Sequence, residues 1–298
     1  MANAAEAIVE PFTTQPSKPN LQPRIDTSTD WLGAIPFVLM HVGAVAGLFL
    51  LPITLKGIAL TIGTYYFFMA AVTIAYHRYF SHRSFKTGRV FQFLLALWGT
   101  MTSQKGVLWW AGNHRHHHRY SDDPQDVHSP VQRGFFWSHV GWILVREYEP
   151  TMNQYVRDFE KFPELRWLNK HYLVPVATYG ALTFLIGGWF GFYWGFVLAI
   201  TALWHGTFTI NSLTHIWGKR RFKTSDASRN NFFTAMITMG EGWHNNHHHY
   251  MHSARQGFYW WEIDLSYYII KGFERLGLVW DVKEPPKELL ELGRQKTI

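Results

Sequence analysis

Three stretches of this chain carry no Asp, Glu, Lys or Arg over lengths that a bilayer core would need. Residues 31–55 are uncharged, and after the single Lys56 the run 57–76 is uncharged again. About 20 residues at about 1.5 Å rise cover a hydrocarbon core of about 30 Å, so each run predicts one spanning helix. The third run, residues 172–218, is 47 residues long with Gly187-Gly188 and Gly191 near its middle. That is too long for one span and suits two joined by a tight aromatic turn. Four transmembrane helices are expected.

Charge orients them. Residues 77–170 carry 13 Lys/Arg against 8 Asp/Glu and residues 212–298 carry 12 against 9, while the turns at Lys56 and near Gly188 share one basic residue. Basic residues favour the cytosolic side, which places both termini and the 77–170 segment in the cytosol. The apolar stretches 90–102 and 135–145 are short and interrupted, and are expected as helices on the membrane or packed under a site. Residues 1–30, rich in Pro, Thr and Ser, read as a polar flexible tail rather than a signal or transit peptide. Residues 31–283 then form one domain and 284–298 a polar C-terminal tail. The fold class expected is all-α: an integral-membrane body of four transmembrane helices with a helical cytosolic cap.

Composition narrows the chemistry. With 15 Trp, 14 Tyr and 23 Phe the chain is rich in rings that collect at membrane interfaces, although an aromatic soluble core would share this count. Cysteine is absent, so disulfides, iron–sulfur clusters and thiolate-ligated metals are excluded, and any metal must be held by nitrogen or oxygen. The net charge of +7 is spread over scattered residues rather than a stripe or a recognised motif, which argues for no nucleic-acid partner.

Histidine is the outlier, with 17 copies, most of them in internal clusters. The clusters are His77 with His82, His114 through His118, and His244 with His247 through His249. The predicted topology brings them to one membrane face, with His215 ending the fourth span. Residues i, i+3 and i+4 share a helix face, so His114, His117 and His118 can converge, as can His244, His247 and His248. His116 falls about 200° from His114 at about 100° per residue and is left out, as is His249. His77 and His82 fall about 140° apart on an ideal helix, which requires either a bend or two different metals. These nine imidazoles exceed the roughly four to six ligands that one ion takes, so two metals are implied, while softness alone leaves Fe, Zn, Cu and Ni open. Metal-bound imidazoles usually donate their other N–H to a carboxylate. Candidates are Asp122, Asp123, Asp126 and Glu241, against the plainer reading of a solvated acidic turn and a helix-terminal carboxylate. His41 and His205, inside spans, are expected as packed or hydrogen-bonded single residues.

These residues resemble the membrane fatty acid desaturase family, in particular its delta-9 branch of acyl-CoA and acyl-lipid enzymes. The matching text is His77-Arg-Tyr-Phe-Ser-His82-Arg83-Ser84, His114 through His118, Arg133-Gly134-Phe-Phe-Trp-Ser-His139-Val-Gly-Trp142, Asn211-Ser-Leu-Thr-His215 and Glu241-Gly-Trp-His244-Asn-Asn-His247-His248. It covers about residues 31–283 in the family's order. The resemblance implies a cofactor of two iron ions (Fe2+/Fe3+) held by the nine imidazoles, with Asn211 holding a metal-bound water. It implies a kinked tunnel for the acyl chain ending near the second span, where Tyr65, Met69 and Thr73 recur at i, i+4 and i+8; ordinary packing would give the same stripe. The implied reaction uses O2 and external electrons to place a cis double bond, of delta-9 type, in a saturated acyl chain. A membrane di-iron hydroxylase is the alternative, and a metal transporter a more distant one.

Two departures bear on the acyl carrier. Gly112-Asn113 and Arg146-Glu147 stand where animal acyl-CoA desaturases have Arg-Asp and Arg-Lys, so CoA, a carrier protein and a glycerolipid all remain open. The His-Pro-Gly-Gly motif of a fused haem domain is missing, so a ferredoxin or cytochrome-type donor with its reductase is expected, docking on Arg115, Arg119 and Arg255. The expected location is a bacterial cell membrane rather than endoplasmic reticulum.

Overall fold

The structure, a computed structural model, describes residues 27–295. The tail expected at 1–30 therefore lies almost wholly outside the described residues. Helices dominate, in the order α1 Trp31–Leu50, α2 Leu55–Ala70, α3 Arg89–Thr100, α4 Val107–Tyr120, α5 Pro130–His139, α6 Arg157–Glu160, α7 Pro163–Lys170, α8 Leu173–Phe192, α9 Leu198–Ser212, α10 Phe232–Ile237, α11 His244–His249, α12 Leu265–Arg275 and α13 Lys287–Gln295. Among the described residues one antiparallel pair of strands, β1 Lys86–Thr87 with β2 Val279–Trp280, joins the approach to α3 with the chain that follows α12.

Among the described residues three continuous helices are long and apolar enough to cross a membrane: Trp31–Leu50, Leu55–Ser81 and Leu173–His215. The third breaks at Gly188, whose φ of 57° and ψ of −150° are open chiefly to glycine. Beyond the break the chain folds back on itself. Tyr179 Oη donates to the Gly195 carbonyl at 2.8 Å, and a side chain at Gly191 would strike the Thr183 carbonyl. Partners whose numbers rise and fall in opposition make an antiparallel hairpin of two arms.

Small residues let the long helices close, as expected where packing rather than water drives helix association. Gly47 abuts the Tyr193 ring and Gly57 the Trp194 ring, where a Cβ would overlap. Tyr193 Oη then donates to the Ala44 carbonyl at 2.8 Å. Thr54 caps α2, accepting from the Gly57 N–H at 3.1 Å. The outer faces stay apolar and open: Leu39 is 62% and Ile186 86% exposed.

Past Ala70 the second long helix changes winding. Ala71–Ser81 is π-helical, and the His82 N–H bonds the His77 carbonyl at 3.2 Å. In an i to i+5 winding, residues five apart stack on one face. Neither alternative offered by an ideal helix is needed.

The C-terminal segment is more ordered than its polarity suggests. α13 packs Leu289 and Leu290 on Phe222, Phe258 and Tyr259, and Tyr259 Oη donates to the Leu290 carbonyl at 2.8 Å.

Candidate metal centre and acyl cavity

Four segments converge beyond the ends of α2 and α9: the π-helical turns through His82, α4, the turn ending at His215, and α11. There the structure gathers nine imidazoles into two groups: His77, His82, His114, His118 and His247, and separately His117, His215, His244 and His248. In each group the candidate nitrogens lie within 4.8 Å of one another. The sequence clusters are not the groups. α4 sends His114 and His118 to the five-ring group and His117 to the other, while α11 sends His247 to the first and His244 and His248 to the second. The π-winding brings His77 and His82 together, ring centroids 4.8 Å apart.

The ring environment fits a pair of cations. His77 Nδ1 lies 2.5 Å from Glu241 and donates there, which leaves a lone pair on Nε2, 3.1 Å from His247 Nε2. His247 Nε2 is also 3.0 Å from His118 Nε2, and one proton cannot serve both neighbours. In the second group His215 Nδ1 donates to Asp122 at 2.8 Å, so its Nε2 faces His244 Nε2 at 3.1 Å. His248 Nε2 and the Nδ1 atoms of His244 and His247 are buried without hydrogen-bond partners. Facing lone pairs in a buried site repel unless something positive sits between them. Burial, then repulsion among neighbouring rings, pushes His82, His114, His118, His244 and His247 well below the ordinary histidine range. Neutral imidazole is the form that binds metal.

Carboxylates stand behind some rings. His117 Nδ1 bonds Asp126 at 2.9 Å, and His248 Nδ1 bonds Asp226 at 2.7 Å. Burial raises Asp122, but bonds to His215, Ser129 and the Ala227 N–H outweigh it and leave the group at about 2. Asp122 takes a left-handed φ of 61°, a conformation that Asp tolerates, and from there reaches both His215 and Ala227. Asp123 is exposed, and among the described residues no hydrogen bond joins it to a ring. Glu241 also lies 3.3 Å from Arg78, a fully buried guanidinium that Asp264 meets at 2.9 Å.

Several contributors were invisible in sequence. Asp226 sits in a loop with no periodic signal, and Gln256 reaches both His77 Nδ1 and Glu241. His128 packs tilted against His117 with centroids 4.3 Å apart and forms a third potential group with His117 and Asp126. His116 bonds Tyr155 and the Gln125 carbonyl, and His249 stacks on Phe222, both away from the centre. His41 and His205 are not isolated: His41 Nε2 meets His205 Nε2 at 3.0 Å, and His205 Nδ1 meets His139 Nε2 at 3.0 Å. Arg115 is committed internally, bonding Asp158 and the carbonyls of Phe80, Ser81 and Tyr155.

A cavity of about 350 Å³ runs from the rings to the starts of α1 and α8. Its inner wall includes His114, His128, Asn113 and Asn211, and its outer wall Leu32, Gly33, Tyr172 and Leu173. Along it Trp110 donates to Gln104 at 3.3 Å, and Gln104 donates to Thr207 at 3.0 Å. Ser138 holds the Asn211 carbonyl at 2.8 Å. Tyr65, Met69 and Thr73 are not among its lining residues. Tyr65 Oη donates to the Ile237 carbonyl at 2.8 Å, Met69 is buried, and Thr73 Oγ1 lies 2.6 Å from Ser266 Oγ.

Long apolar helices ending in two histidine-lined groups beside an apolar cavity define a membrane-associated, metal-dependent class of lipid-modifying protein. The profile of the family "Fatty acid desaturase" matches residues 51–280. The chain belongs to the fatty acid desaturase family and is an oxidoreductase that desaturates fatty acyl chains. It is 33% identical over 272 residues to the sn-1 stearoyl-lipid 9-desaturase of Anabaena variabilis, covering 89% of this chain and 99% of that one. It is 36% identical to the sn-2 palmitoyl-lipid 9-desaturase of Nostoc sp., over 73% of this chain and 78% of that one. The icosanoyl-CoA 5-desaturase of Limnanthes douglasii is 38% identical, over 72% of this chain and 61% of that one.

Proposed function

We propose that this chain places a cis double bond at the delta-9 position of a saturated fatty acyl chain, using O2, two iron ions and electrons from a ferredoxin or cytochrome-type donor with its reductase. The observation that supports this most is that the cavity meets the five-ring group at His114, while His128, which packs on His117 of the four-ring group, lines it beside Asn211. His77, His82, His114, His118 and His247 would hold one ion, and His117, His215, His244 and His248 the other, with Asn211 acting through a water. The ions supply the oxidising power that no side chain has, since removing hydrogen from an unactivated methylene lies beyond acid–base chemistry.

The rest is the protein's work. Asp122, Asp126, Asp226 and Glu241 fix ring tautomers and orientation. The Trp110–Gln104–Thr207 clasp shapes the wall beside the inner end, so that one carbon pair is presented; small misplacement there is costly in rate. Tyr65 and Met69 meet Gly206 and Thr73 meets Ser266, all outside the cavity's lining, so the expected part of these three in setting chain length is not assigned. The buried, ring-lined inner end excludes bulk water.

The two hairpin arms and the first two long helices make four crossings of the bilayer. The excess of basic residues at their histidine end puts that end and both termini in the cytosol, and the membrane is assigned as a bacterial cell membrane. Arg119 and Arg255 are the cap cations offered to an acidic donor, steering encounter more than affinity. The relatives named above, all desaturases, do not favour the hydroxylase reading. Expression in cells lacking their own desaturase, with each lipid class searched by mass spectrometry for a new alkene, tests the proposal. An alcohol, or no change, would reject it.

A further inference from the structure

We infer that a second cleft, at the histidine end of the spanning helices and separate from the acyl cavity, binds the head group of an anionic phospholipid. The cleft holds about 690 Å³ between the turn that follows α9 and the start of α10. Its depth is set by α10. The Ile237 carbonyl at the end of α10 accepts from Tyr65 Oη at 2.8 Å, and Tyr65 belongs to the apolar helix Leu55–Ser81. Tyr65 also abuts Gly206 of Leu173–His215, where a Cβ would overlap it. Gly206 stands more than two helical turns before His215, so the end of α10 lies below the rings, alongside helices apolar enough to span. There Phe232, Phe233 and Ile237 are 50%, 66% and 40% exposed. Apolar side chains left open at that depth face acyl chains. Trp217, just past α9, stacks on Phe233 with centroids 6.0 Å apart, and both line the cleft. Such ring pairs suit the level where chains meet head groups.

Charge lines the same cleft. Its lining residues include the cations Lys219, Arg220 and Arg221 and one carboxylate, Glu262. Arg221 pairs with Glu262, so those two charges offset. Arg220 donates to the carbonyls of Thr224 and Asp226 at 2.9 and 2.7 Å, neutral acceptors that fix the guanidinium without cancelling its charge. The Asp226 carboxylate is turned to His248. Among the described residues no carboxylate pairs with Lys219 or Arg220, and both are exposed. The turn that carries them is braced. Gly218, at a φ of 133°, lets the Asn230 carbonyl come close, and Lys219 and Asn230 exchange N–H···O bonds of 2.9 and 2.7 Å. Two uncompensated cations beside lipid-facing rings match a phosphate at the bilayer surface, each worth a similar increment of attraction there. A choline or ethanolamine cation would meet repulsion from the same pair, which favours a head group of net negative charge. An acidic protein would have to reach rings that stand at the level of the acyl chains, and the depth of α10 argues against it.

The test uses the full, iron-loaded chain in detergent micelles. Phosphatidylglycerol and phosphatidylcholine with the same acyl chains are titrated in, and bound lipid is counted by native mass spectrometry. One phosphatidylglycerol should be retained at least about tenfold more tightly than phosphatidylcholine. Lys219→Glu should abolish that preference and Lys219→Arg should keep it, with iron content unchanged in both. Phe233→Ser, which leaves the cations in place, should lower retention of both lipids. Equal retention of the two lipids by the wild type, a preference unmoved in Lys219→Glu, or displacement by soluble glycerol 3-phosphate at the concentration of the lipid overturns the inference. So does a Lys219→Glu variant that keeps its lipid but takes electrons from reduced ferredoxin more slowly, which would make the cleft a protein-docking face. Because lipid retention is the quantity read, the inference stands or falls apart from the desaturase reading.

Discussion

The two imidazole groups differ less in their rings than in what stands behind them. The four-ring group has three aspartates at its back: Asp126 on His117, Asp122 on His215 and Asp226 on His248. The five-ring group has Glu241 on His77, and that carboxylate is shared with buried Arg78 and with Gln256. The four-ring group thus has three carboxylates behind it, while behind the five-ring group Glu241 and Asp264 share the one cation of Arg78. Helices deliver most of the rings and loops deliver the charge, so cations held by these two groups would sit in different fields.

Removing a ring should have the largest effect. His247→Ala takes away the nitrogen that meets both His77 and His118. Alkene formation should be lost and bound iron should fall by about one equivalent per chain, read by elemental analysis. Unchanged iron content would break the assignment of the five-ring group.

Behind the rings, Asp226→Asn should weaken metal retention about 10- to 100-fold, seen as faster loss to a chelator. Glu241→Gln sharpens the contrast, because its main cost should be folding. It removes one of the two carboxylates near buried Arg78, and breaking a buried ion pair costs about 3–5 kcal/mol. Equal chelator sensitivity in the two variants would remove the distinction between the groups.

Acid should affect the metal-free protein next. Rings such as His82 and His244 are depressed in the fold, so below the ordinary histidine value of about 6.5 the unfolded chain takes up protons that the folded chain refuses. Stability of the metal-free form should therefore decline as pH falls from about 6.5, while bound metal should delay the loss. The aspartates act lower. Asp122, near 2 in the fold, contributes stability that is present above the unfolded value of about 3.9 and is lost as pH falls through 2. Thermal melts across pH, with and without iron, separate the two. The smallest effect is expected for exposed Asp123→Asn, within about 0.5 kcal/mol and without change in iron content.

Much of the site was legible because its signals are local. Each of the nine ring positions sits in a short motif, and Glu241 precedes His244 by one turn. The partition of the rings was not legible. His117 and His118 are adjacent in sequence yet serve different groups, and His77 joins His82 only because the helix winds to π before them. Asp226 and Gln256 carry no motif and meet their rings through contacts made across the fold. Arg115 was expected to receive the electron donor, and only its four bonded partners show it to be an internal clamp.

By itself the sequence determined the apolar helices, the absence of thiolate ligands and the supply of histidines, since each depends on residue type and spacing along one segment. The tertiary structure decided which rings lie together and which carboxylates lie behind them. Those are sums over side chains from distant segments, and electrostatic energy depends on distance in space, which local periodicity does not encode.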